Sequence, residues 1–268
     1  MNRPSAPDDN ASGPIDYDHV CLHYDFSRSA GKSNIQLLGE LLYPLRDSLL
    51  LDVGCGTGNH VLKLKDLARH VVGLDPSSGM LSQARAKVWA ASLVRADAQF
   101  MPFWDHAFDA AYCIQALHHV PDRGKFISEV FRIVKPRGRF AVESCSHDQL
   151  ETFCCYYYFA RALEMDRRRI PDLGEIGELL SAAGFRDIAI HICPLADGFR
   201  DAPEDYLDKR VRDGSSTFAF LTVEEIEEGC ERIRRDIRSG KAARIEADYR
   251  RQAEQMGGRV SFVGAVKP

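Results

Sequence analysis

An apolar run that ends in three alternating glycines constrains this chain more than any other feature. Residues 49–60 read LLLDVGCGTGNH, in which Gly54, Gly56 and Gly58 are spaced as G-x-G-x-G. Such a run is typical of a buried parallel strand that stops in a tight turn. The apolar spacing of residues 59–68 then favours a helix with one buried face. The stretch therefore predicts a strand, a glycine turn and a helix.

A turn of this kind binds nucleotides, because glycines let a ligand approach the backbone and the helix N-terminus presents free N–H groups. Dinucleotides require G-x-G-x-x-G, whereas position 59 here is Asn. Asp52 precedes the first glycine, where a carboxylate repels a diphosphate and attracts an α-ammonium group. The turn therefore favours S-adenosylmethionine (SAM), with Asp52, Gly54, Cys55 and Gly56 at the cofactor. An ordinary tight turn is the alternative.

Acidic residues also follow the next two predicted strands. Asp75 and Pro76 follow HVVGL, about twenty residues past the turn, where an acidic residue binds ribose hydroxyls. Asp97 and Ala98 follow the third strand. Because the carboxyl ends of parallel strands share one sheet edge, we expect Asp97 and the Ala98 amide to face the adenine. Each aspartate alone is also consistent with a helix cap or a turn.

Three further side chains are candidates for the cofactor site. Met80 lies on the inward face of a helix capped by Ser77, where core packing is favoured over contact with the adenine. Tyr24 and Arg28 lie in an N-terminal segment of intermittent apolar spacing. Because arginine binds carboxylates through two parallel hydrogen bonds, we expect these two residues to close over a ligand carboxylate. A solvated amphipathic segment is the alternative.

Five segments together resemble the class I SAM-dependent methyltransferases: LLDVGCGTG, LD at 74–75, RADAQFMPF, FDAAYCIQALHHV and the KPRGRF turn. The chain is most similar to the small-molecule group that includes ubiquinone/menaquinone C-methyltransferases, over roughly residues 17–145. The resemblance implies an α/β fold with a Rossmann-like, seven-stranded, mostly parallel sheet, helices on both faces and an antiparallel last strand. It also implies cofactor contacts at Gly54, Gly56, Asp75, Asp97, Ala98 and Gln115. After Glu143 the chain departs from these relatives, so the acceptor is not named.

Two histidines follow the fourth predicted strand, next to the place where a transferred methyl group would point. Histidine titrates near neutrality, so His119 or His118 is the predicted general base, and a role in capping the following loop is the alternative. Glu143, at the end of the fifth strand, is predicted to orient the acceptor. Replacing His119 by alanine is expected to lower turnover roughly a hundredfold while SAM binding survives.

Composition and cysteine spacing exclude several classes of protein. A net charge of −4 gives no electrostatic case for a nucleic-acid partner. No apolar run is long enough for a membrane-spanning helix. The eight cysteines form no CxxC pair, which argues against a zinc site and favours a reducing cytoplasm. A metalloid acceptor held by Cys113, Cys145 and Cys154 or Cys155 is disfavoured against buried structural thiols.

The chain divides into a predicted disordered N-terminus, residues 1–14, and one methyltransferase domain, residues 15–268. An aromatic-rich stretch at 148–165 predicts one helix, and the RRR run at 167–169 predicts a solvated turn. Residues 200–255 are too long for a hairpin link between the last two strands. Their helical pattern, which begins with a capping box at Thr222 and Glu225, predicts an insertion that caps the acceptor site.

The sequence thus predicts a SAM-dependent methyltransferase that acts on a small-molecule acceptor, as a monomer or homodimer without a nucleic-acid, membrane or metal partner. Three alternatives stay open. An NAD(P)-dependent oxidoreductase shares the strand–turn–helix unit but needs a third glycine in a different place. The others are a non-catalytic partner protein with this fold, and a methyltransferase acting on RNA or protein. The acidic balance weighs against RNA.

Overall fold

The computed structural model describes residues 15–88, 92–194 and 200–268, so the predicted disordered residues 1–14 lie outside the described chain. Seven strands form one sheet. The strands are β1 (Leu49–Val53), β2 (His70–Asp75), β3 (Ser92–Arg95), β4 (Phe108–Ile114), β5 (Val134–Ser144), β6 (Arg186–Cys193) and β7 (Val260–Val266).

The sheet runs in the order β3-β2-β1-β4-β5-β7-β6. Strands β1 to β5 pair in parallel, and β7 lies antiparallel between β5 and β6. Strand order reverses between β1 and β4, because the chain first builds outward to β3 and then returns. In open α/β sheets ligands bind at the carboxyl ends of the strands beside such a reversal. The predicted seven-stranded, mostly parallel sheet is confirmed.

Helices cover both faces of the sheet. They are α1 (Tyr17–Ser27), α2 (Lys32–Leu41), α3 (Asn59–Leu64), α4 (Ser78–Lys87), α5 (Arg123–Ile133), α6 (His147–Leu150), α7 (Cys155–Tyr158), α8 (Ala160–Arg169), α9 (Leu173–Ala183), α10 (Lys209–Asp213), α11 (Val223–Arg238) and α12 (Lys241–Gln255). Short 3-10 turns at Leu117–His119, Pro203–Leu207 and Ser216–Phe220 join some of them. No helix in the described ranges is long and apolar enough to cross a membrane.

Alternation along the strands divides the core between the two faces. Leu50 packs with Leu38 on one face, whereas its neighbour Leu51 packs with Phe126 and Ile127 on the other. Successive side chains of a strand point to opposite faces, so a strand buried on both faces reads as a continuous apolar run. This explains why LLLDV carries no polar alternation and yet is a strand.

The region after β5 differs from its prediction. The single helix expected over 148–165 is three short helices, α6, α7 and α8. The backbone leaves helical geometry at Phe159, whose φ and ψ are −127° and 65°. The break places Tyr156, Tyr158 and Phe159 all in buried positions, which one straight helix cannot do.

A buried ion pair ties the segment after residue 200 to the sheet. Arg259, just before β7, donates to the Asp201 carboxylate at 2.6 Å, and the Tyr206 hydroxyl donates to the same carboxylate at 2.6 Å. The Cys154 N–H donates to Asp201 at 3.2 Å. The predicted capping box at Thr222 begins α11. Helices α10 to α12 are therefore held against α7 and β7 by side chains from distant parts of the chain.

Candidate active site

The turn between β1 and α3 has the backbone that its glycines predict. Gly54, Gly56 and Gly58 have φ values of 77°, 51° and 77°, in the left-handed region that favours glycine. A Cβ on Gly54 would lie 2.5 Å from the Ala116 Cβ, so no side chain fits there. At Gly56 the nearest neighbour, the Met80 sulfur, would be 3.9 Å away. The turn therefore exposes its backbone to open space.

Asp75 joins this turn to the loop after β2. One carboxylate oxygen accepts from the Gly56 N–H at 2.9 Å and the other accepts from the Ser77 N–H at 2.9 Å. Burial raises the pKa of Asp75, and these two backbone donors oppose that rise. Asp75 also lines the cavity described next. It thus presents hydrogen-bond acceptors at the end of β2, where ribose hydroxyls bind in related folds.

One cavity of about 800 Å³ runs along the carboxyl ends of the strands. Its volume lies within the range of small-molecule sites, roughly 300–1,000 Å³. We call one part of its wall the glycine half, formed by Gly54, Gly56, Asp75, Asp97, Ala98 and Gln99. We call the other part the aromatic half, formed by Phe153, Tyr156, Asp166, Arg169, Arg200, Tyr206, Ser216, Thr217, Phe218 and Phe220. The two halves are parts of one continuous cavity.

Most of the residues that the sequence singles out line this cavity. They are Tyr24, Arg28, Gly54, Gly56, Asp75, Pro76, Met80, Asp97, Ala98, Gln115, His118 and His119. Met80 is only 2% exposed and packs with Val20 and Cys21, so it serves the core as well as the cavity wall. Three other predicted residues, Asp52, Cys55 and Glu143, are absent from the wall.

Asp52 and Cys55 lie beneath the turn. The Asp52 side chain is 2% exposed and lies beside Tyr112, its cross-strand neighbour on β4. Burial raises the pKa of Asp52 to about 8, so the carboxyl is largely protonated at neutral pH. The Cys55 sulfur packs toward Gly73 on β2. The Asp52 side chain lies with Tyr112 on one face of the sheet and does not line the cavity, so its expected contact with an α-ammonium group stays a prediction.

Glu143 is likewise behind the cavity wall. It is 1% exposed and accepts from the Asn34 amide and from Gln115 Nε2, the latter at 3.3 Å. Burial raises its pKa to about 7. The Glu143 carboxylate faces Asn34 on α2 and does not line the cavity, so its role of orienting the acceptor stays a prediction. Its visible effect is to hold Gln115, which does line the cavity and has a φ of 49°.

The two histidines, which follow β4, line the same cavity. His119 Nε2 is 2.5 Å from the Tyr17 hydroxyl, and the His118 and His119 rings are 3.9 Å apart between centroids. Burial, followed by the positive charge of Arg169, lowers the pKa of His119 to about 3. Burial likewise lowers the pKa of His118 well below its usual range. Both rings are therefore neutral at pH 7.

Helix α1 covers the cavity, and two of its carboxylates accept hydrogen bonds from residues that follow β1 and β2. Asp18 accepts from the Ser77 hydroxyl at 2.6 Å and from the Gly79 N–H at 2.8 Å. Asp25 accepts from the Thr57 hydroxyl at 2.6 Å. Because these acids are seven residues apart, they lie on one side of the helix. That spacing is the signal in the sequence that would have found them.

The aromatic half contains functional candidates that sequence reasoning missed. Arg169, expected in a solvated turn, has a side chain only 15% exposed and lines the cavity, so that expectation is wrong. Asp166, 1% exposed, accepts from Arg169 Nε at 2.5 Å, the Tyr156 hydroxyl at 2.7 Å and the Thr217 hydroxyl at 2.9 Å. Asp166 and Arg169 are three positions apart on α8, which is a local signal in the sequence, but no sequence pattern links Asp166 to Thr217. Among described residues, no cluster of His, Cys, Asp and Glu is arranged to hold a metal.

The seven-stranded sheet and the glycine turn at its edge are typical of nucleotide-binding α/β domains. A family profile described as a methyltransferase domain matches residues 51–142. The O-methyltransferase rstn1 of Aspergillus nomiae is 31% identical over 39% of this chain and 50% of that protein. The demethylmenaquinone methyltransferase of Bacillus licheniformis is 29% identical over 57% of this chain and 76% of that protein, and its Shouchella clausii counterpart is 36% identical over 41% and 50%. The chain thus spans half the length of two of these curated relatives.

Solved structures share this fold. A putative methyltransferase from an antibiotic biosynthesis pathway of Anabaena variabilis superposes with a TM-score of 0.76 at 23% identity, over 89% of this chain and 98% of that one. Phosphoethanolamine N-methyltransferase 2 of Haemonchus contortus, bound to phosphomonomethylethanolamine and S-adenosylhomocysteine, gives 0.59 at 19% identity, over 94% and 57%. At these identities the likeness concerns the fold. Residues 51–142 thus match a methyltransferase domain, and the chain resembles the class I SAM-dependent methyltransferases, among them the quinone methyltransferases. SAM is the cofactor of that class.

Proposed function

We propose that this protein transfers the methyl group of SAM to a small-molecule acceptor bound in the aromatic half of the cavity. The observation that carries the proposal is the continuity of the cavity, which joins the glycine half to the aromatic half. SAM supplies an already activated methyl group, so the protein has mainly to align an acceptor lone pair in a dry space. The buried aromatic wall meets that requirement.

The glycine half is assigned to the nucleoside. The open backbone at Gly54 and Gly56 admits close approach, and the Asp75 carboxylate accepts from ribose hydroxyls. Asp97, whose side chain is exposed at the cavity wall, is assigned to the adenine together with the Ala98 amide. The fit is supported by the absence of any neighbour closer than 3.9 Å to a Cβ on Gly56.

The amino-acid end of the cofactor is assigned to the side of the cavity covered by α1. Arg28 lines the cavity and its guanidinium donates to the Ser215 hydroxyl at 3.3 Å. Tyr24 lies beside it, and its buried hydroxyl has a raised pKa. A guanidinium and a phenol at one wall suit a carboxylate. Gln115, held by Glu143, completes this part of the site.

The histidines are assigned to positioning. A general base works best when its pKa is near the working pH, and a pKa of about 3 makes His119 a weak base at neutrality. Its contact with the Tyr17 hydroxyl instead fixes the N-terminal helix over the reacting centre. We therefore expect acceptors that need no strong base, such as groups that are already nucleophilic when bound.

Roles are also proposed for the 200–255 region, the cellular compartment and the oligomeric state. The 200–255 region, whose residues Arg200 to Phe220 contribute to the aromatic half, is assigned to capping the acceptor. A reducing cytoplasm is supported by the eight cysteines, all of which are described and lack a disulfide. The protein is proposed to act as a monomer or homodimer on small molecules, without nucleic acid.

Calorimetric titration with SAM and, in parallel, with NADH tests the cofactor. We expect micromolar SAM affinity and no NADH response. Acceptor panels are then screened by release of S-adenosylhomocysteine. SAM binding without release of S-adenosylhomocysteine from any small molecule, but with release from RNA or a protein, would favour the macromolecular alternative. No SAM binding by folded protein would favour a non-catalytic partner with this fold.

A further inference from the structure

The Arg169 guanidinium in the aromatic half has one nitrogen without a partner. Its Nε donates to Asp166 at 2.5 Å and its Nη2 donates to the Ser216 hydroxyl at 3.1 Å. Its Nη1 is buried and has no hydrogen-bond partner among the described residues. Leaving a buried donor unsatisfied is costly, and it is more so for a charged group. Arg169 lines the cavity through other atoms of its side chain, so a ligand that displaces the atoms around Nη1 would supply the missing acceptor.

Asp166 and Ser216 hold this guanidinium in a fixed orientation. Asp166 is fully engaged, because its carboxylate also accepts from the Tyr156 and Thr217 hydroxyls. The ion pair therefore cannot swing to satisfy Nη1 without breaking other bonds. A planar guanidinium fixed on two of its nitrogens presents the third as a preformed donor, which lowers the entropic cost of binding an oxygen.

The charges in the aromatic half favour an anion over a neutral oxygen. The charged described residues on this part of the wall are Arg169, Arg200 and Asp166, so positive charge is in excess. Arg200 Nη1 is 3.6 Å from Asp205, a long and partly exposed pairing. The nearby His118 and His119 are neutral, as described above. A hydrogen bond from a cation to an anionic oxygen is roughly twice as strong as a neutral one.

We propose that Arg169 binds an anionic oxygen of an aromatic methyl acceptor and so determines which acceptors this enzyme takes. The aromatic class follows from the rings that face the same space, among them Phe153, Tyr156 and Phe218. The proposal rests on the proposed function, because it places the acceptor in the aromatic half. Arg169 is a specificity-determining residue that touches the acceptor away from the SAM-binding turn.

Calorimetry on the full chain saturated with S-adenosylhomocysteine tests the proposal. The probes are aromatic carboxylates of one to three rings, such as 1-naphthoate, and the corresponding neutral carboxamides. We expect carboxylates to bind at least about tenfold more tightly than their carboxamides, the factor of a single charge-assisted bond. Arg169→Met should abolish this preference. Arg168→Met, on the same helix but in an exposed pair with Glu164, is the matched control and should retain it.

Arg169→Lys keeps the protein testable if Arg169→Met does not fold. Lysine keeps the positive charge but lacks the planar guanidinium and its several N–H donors. We therefore expect the preference for carboxylates over carboxamides to fall several-fold without vanishing. No preference for carboxylates across the panel, or an equal preference in wild type and both Arg169 variants, would overturn the proposal while leaving SAM binding intact. Failure of SAM binding in the wild type would instead refute the proposed function.

Discussion

The two halves of the cavity are built in different ways. The glycine half is made by strand ends and backbone, from residues 54 to 99, which are close together in the chain. The aromatic half is made by side chains of α7, α8 and the 200–220 segment, which are held together by Asp166 and Asp201. A backbone cradle fits a constant group such as a nucleoside. A side-chain wall changes with each substitution, so it suits a part of the site in which specificity varies.

This difference predicts where substitutions act. Changes in the glycine half should alter SAM affinity and leave the rest of the fold in place. Changes to the ion pairs of the aromatic half should alter stability or acceptor choice and leave SAM affinity almost unchanged. The substitutions below test whether the two halves respond separately.

Asp201→Ala should have the largest effect. It leaves the buried Arg259 without its carboxylate, so the free energy of unfolding should fall by about 3–5 kcal/mol. Chemical denaturation measures this. The matched control is Asp248→Ala in an exposed pair with Arg251, where the loss should stay below about 1 kcal/mol. An equal loss in the two variants would show that the segment after residue 200 is not anchored by this pair.

Asp52→Asn should remove a pH dependence of stability. Burial raises the folded-state pKa of Asp52 to about 8, so the folded protein holds this proton more tightly than the unfolded chain does. The associated stability is complete below roughly pH 4, the ordinary aspartate pKa, and is lost as pH rises through about 8. Denaturation at pH 5 and pH 8 should show a smaller decrease for Asp52→Asn than for wild type.

The same variant tests the position of Asp52 beneath the turn. Because Asp52 does not line the cavity, SAM affinity at pH 8 should change less than roughly threefold. A loss of a hundredfold would place the Asp52 carboxylate at the cofactor, as the sequence alone suggested. Identical pH slopes for variant and wild type would contradict the raised pKa instead.

Gly54→Ala should abolish tight SAM binding. The new Cβ would lie 2.5 Å from the Ala116 Cβ, at a φ of 77° that disfavours alanine. We expect a loss of at least about a hundredfold in affinity, equivalent to about 2.7 kcal/mol. Gly174→Ala is the control, since nothing lies within 4 Å of its added Cβ. If Gly54→Ala binds SAM as tightly as wild type within error, the turn is not part of the binding site.

Asp75→Asn should lower SAM affinity less than Gly54→Ala does. It replaces one acceptor with an NH₂ group that opposes the Gly56 or Ser77 N–H, while it preserves the shape of the side chain. SAM affinity should fall about tenfold, near 1.4 kcal/mol. Calorimetry compares it with Asp66→Asn, an exposed acid 77% accessible in its pair with Lys65. An equal loss of SAM affinity in the two variants would show that Asp75 does not contact the cofactor.

Much of the glycine half was predictable, because its signals are local. The G-x-G-x-G spacing, the acids after β2 and β3 and the residues after β4 each report a strand end, and strand ends of a parallel sheet meet at one edge. Asp52, Cys55 and Glu143, which the same reasoning assigned to the site, do not line the cavity. A residue next to a turn faces the cavity or one face of the sheet, depending on its place in the alternation of the strand. The sequence alone does not fix that place to within one position.

The sequence by itself determined the strand–turn–helix unit and the backbone of the cofactor turn, because each depends on residues only a few positions apart. The seven-stranded sheet was what the resemblance to class I SAM-dependent methyltransferases implied. The tertiary structure alone decided the aromatic half. Arg169 looked like part of a solvated basic run until α8 and the 216–220 turn placed it against Asp166 and Ser216. Contacts between segments about fifty residues apart follow from how helices pack on the sheet, and no local pattern records that packing.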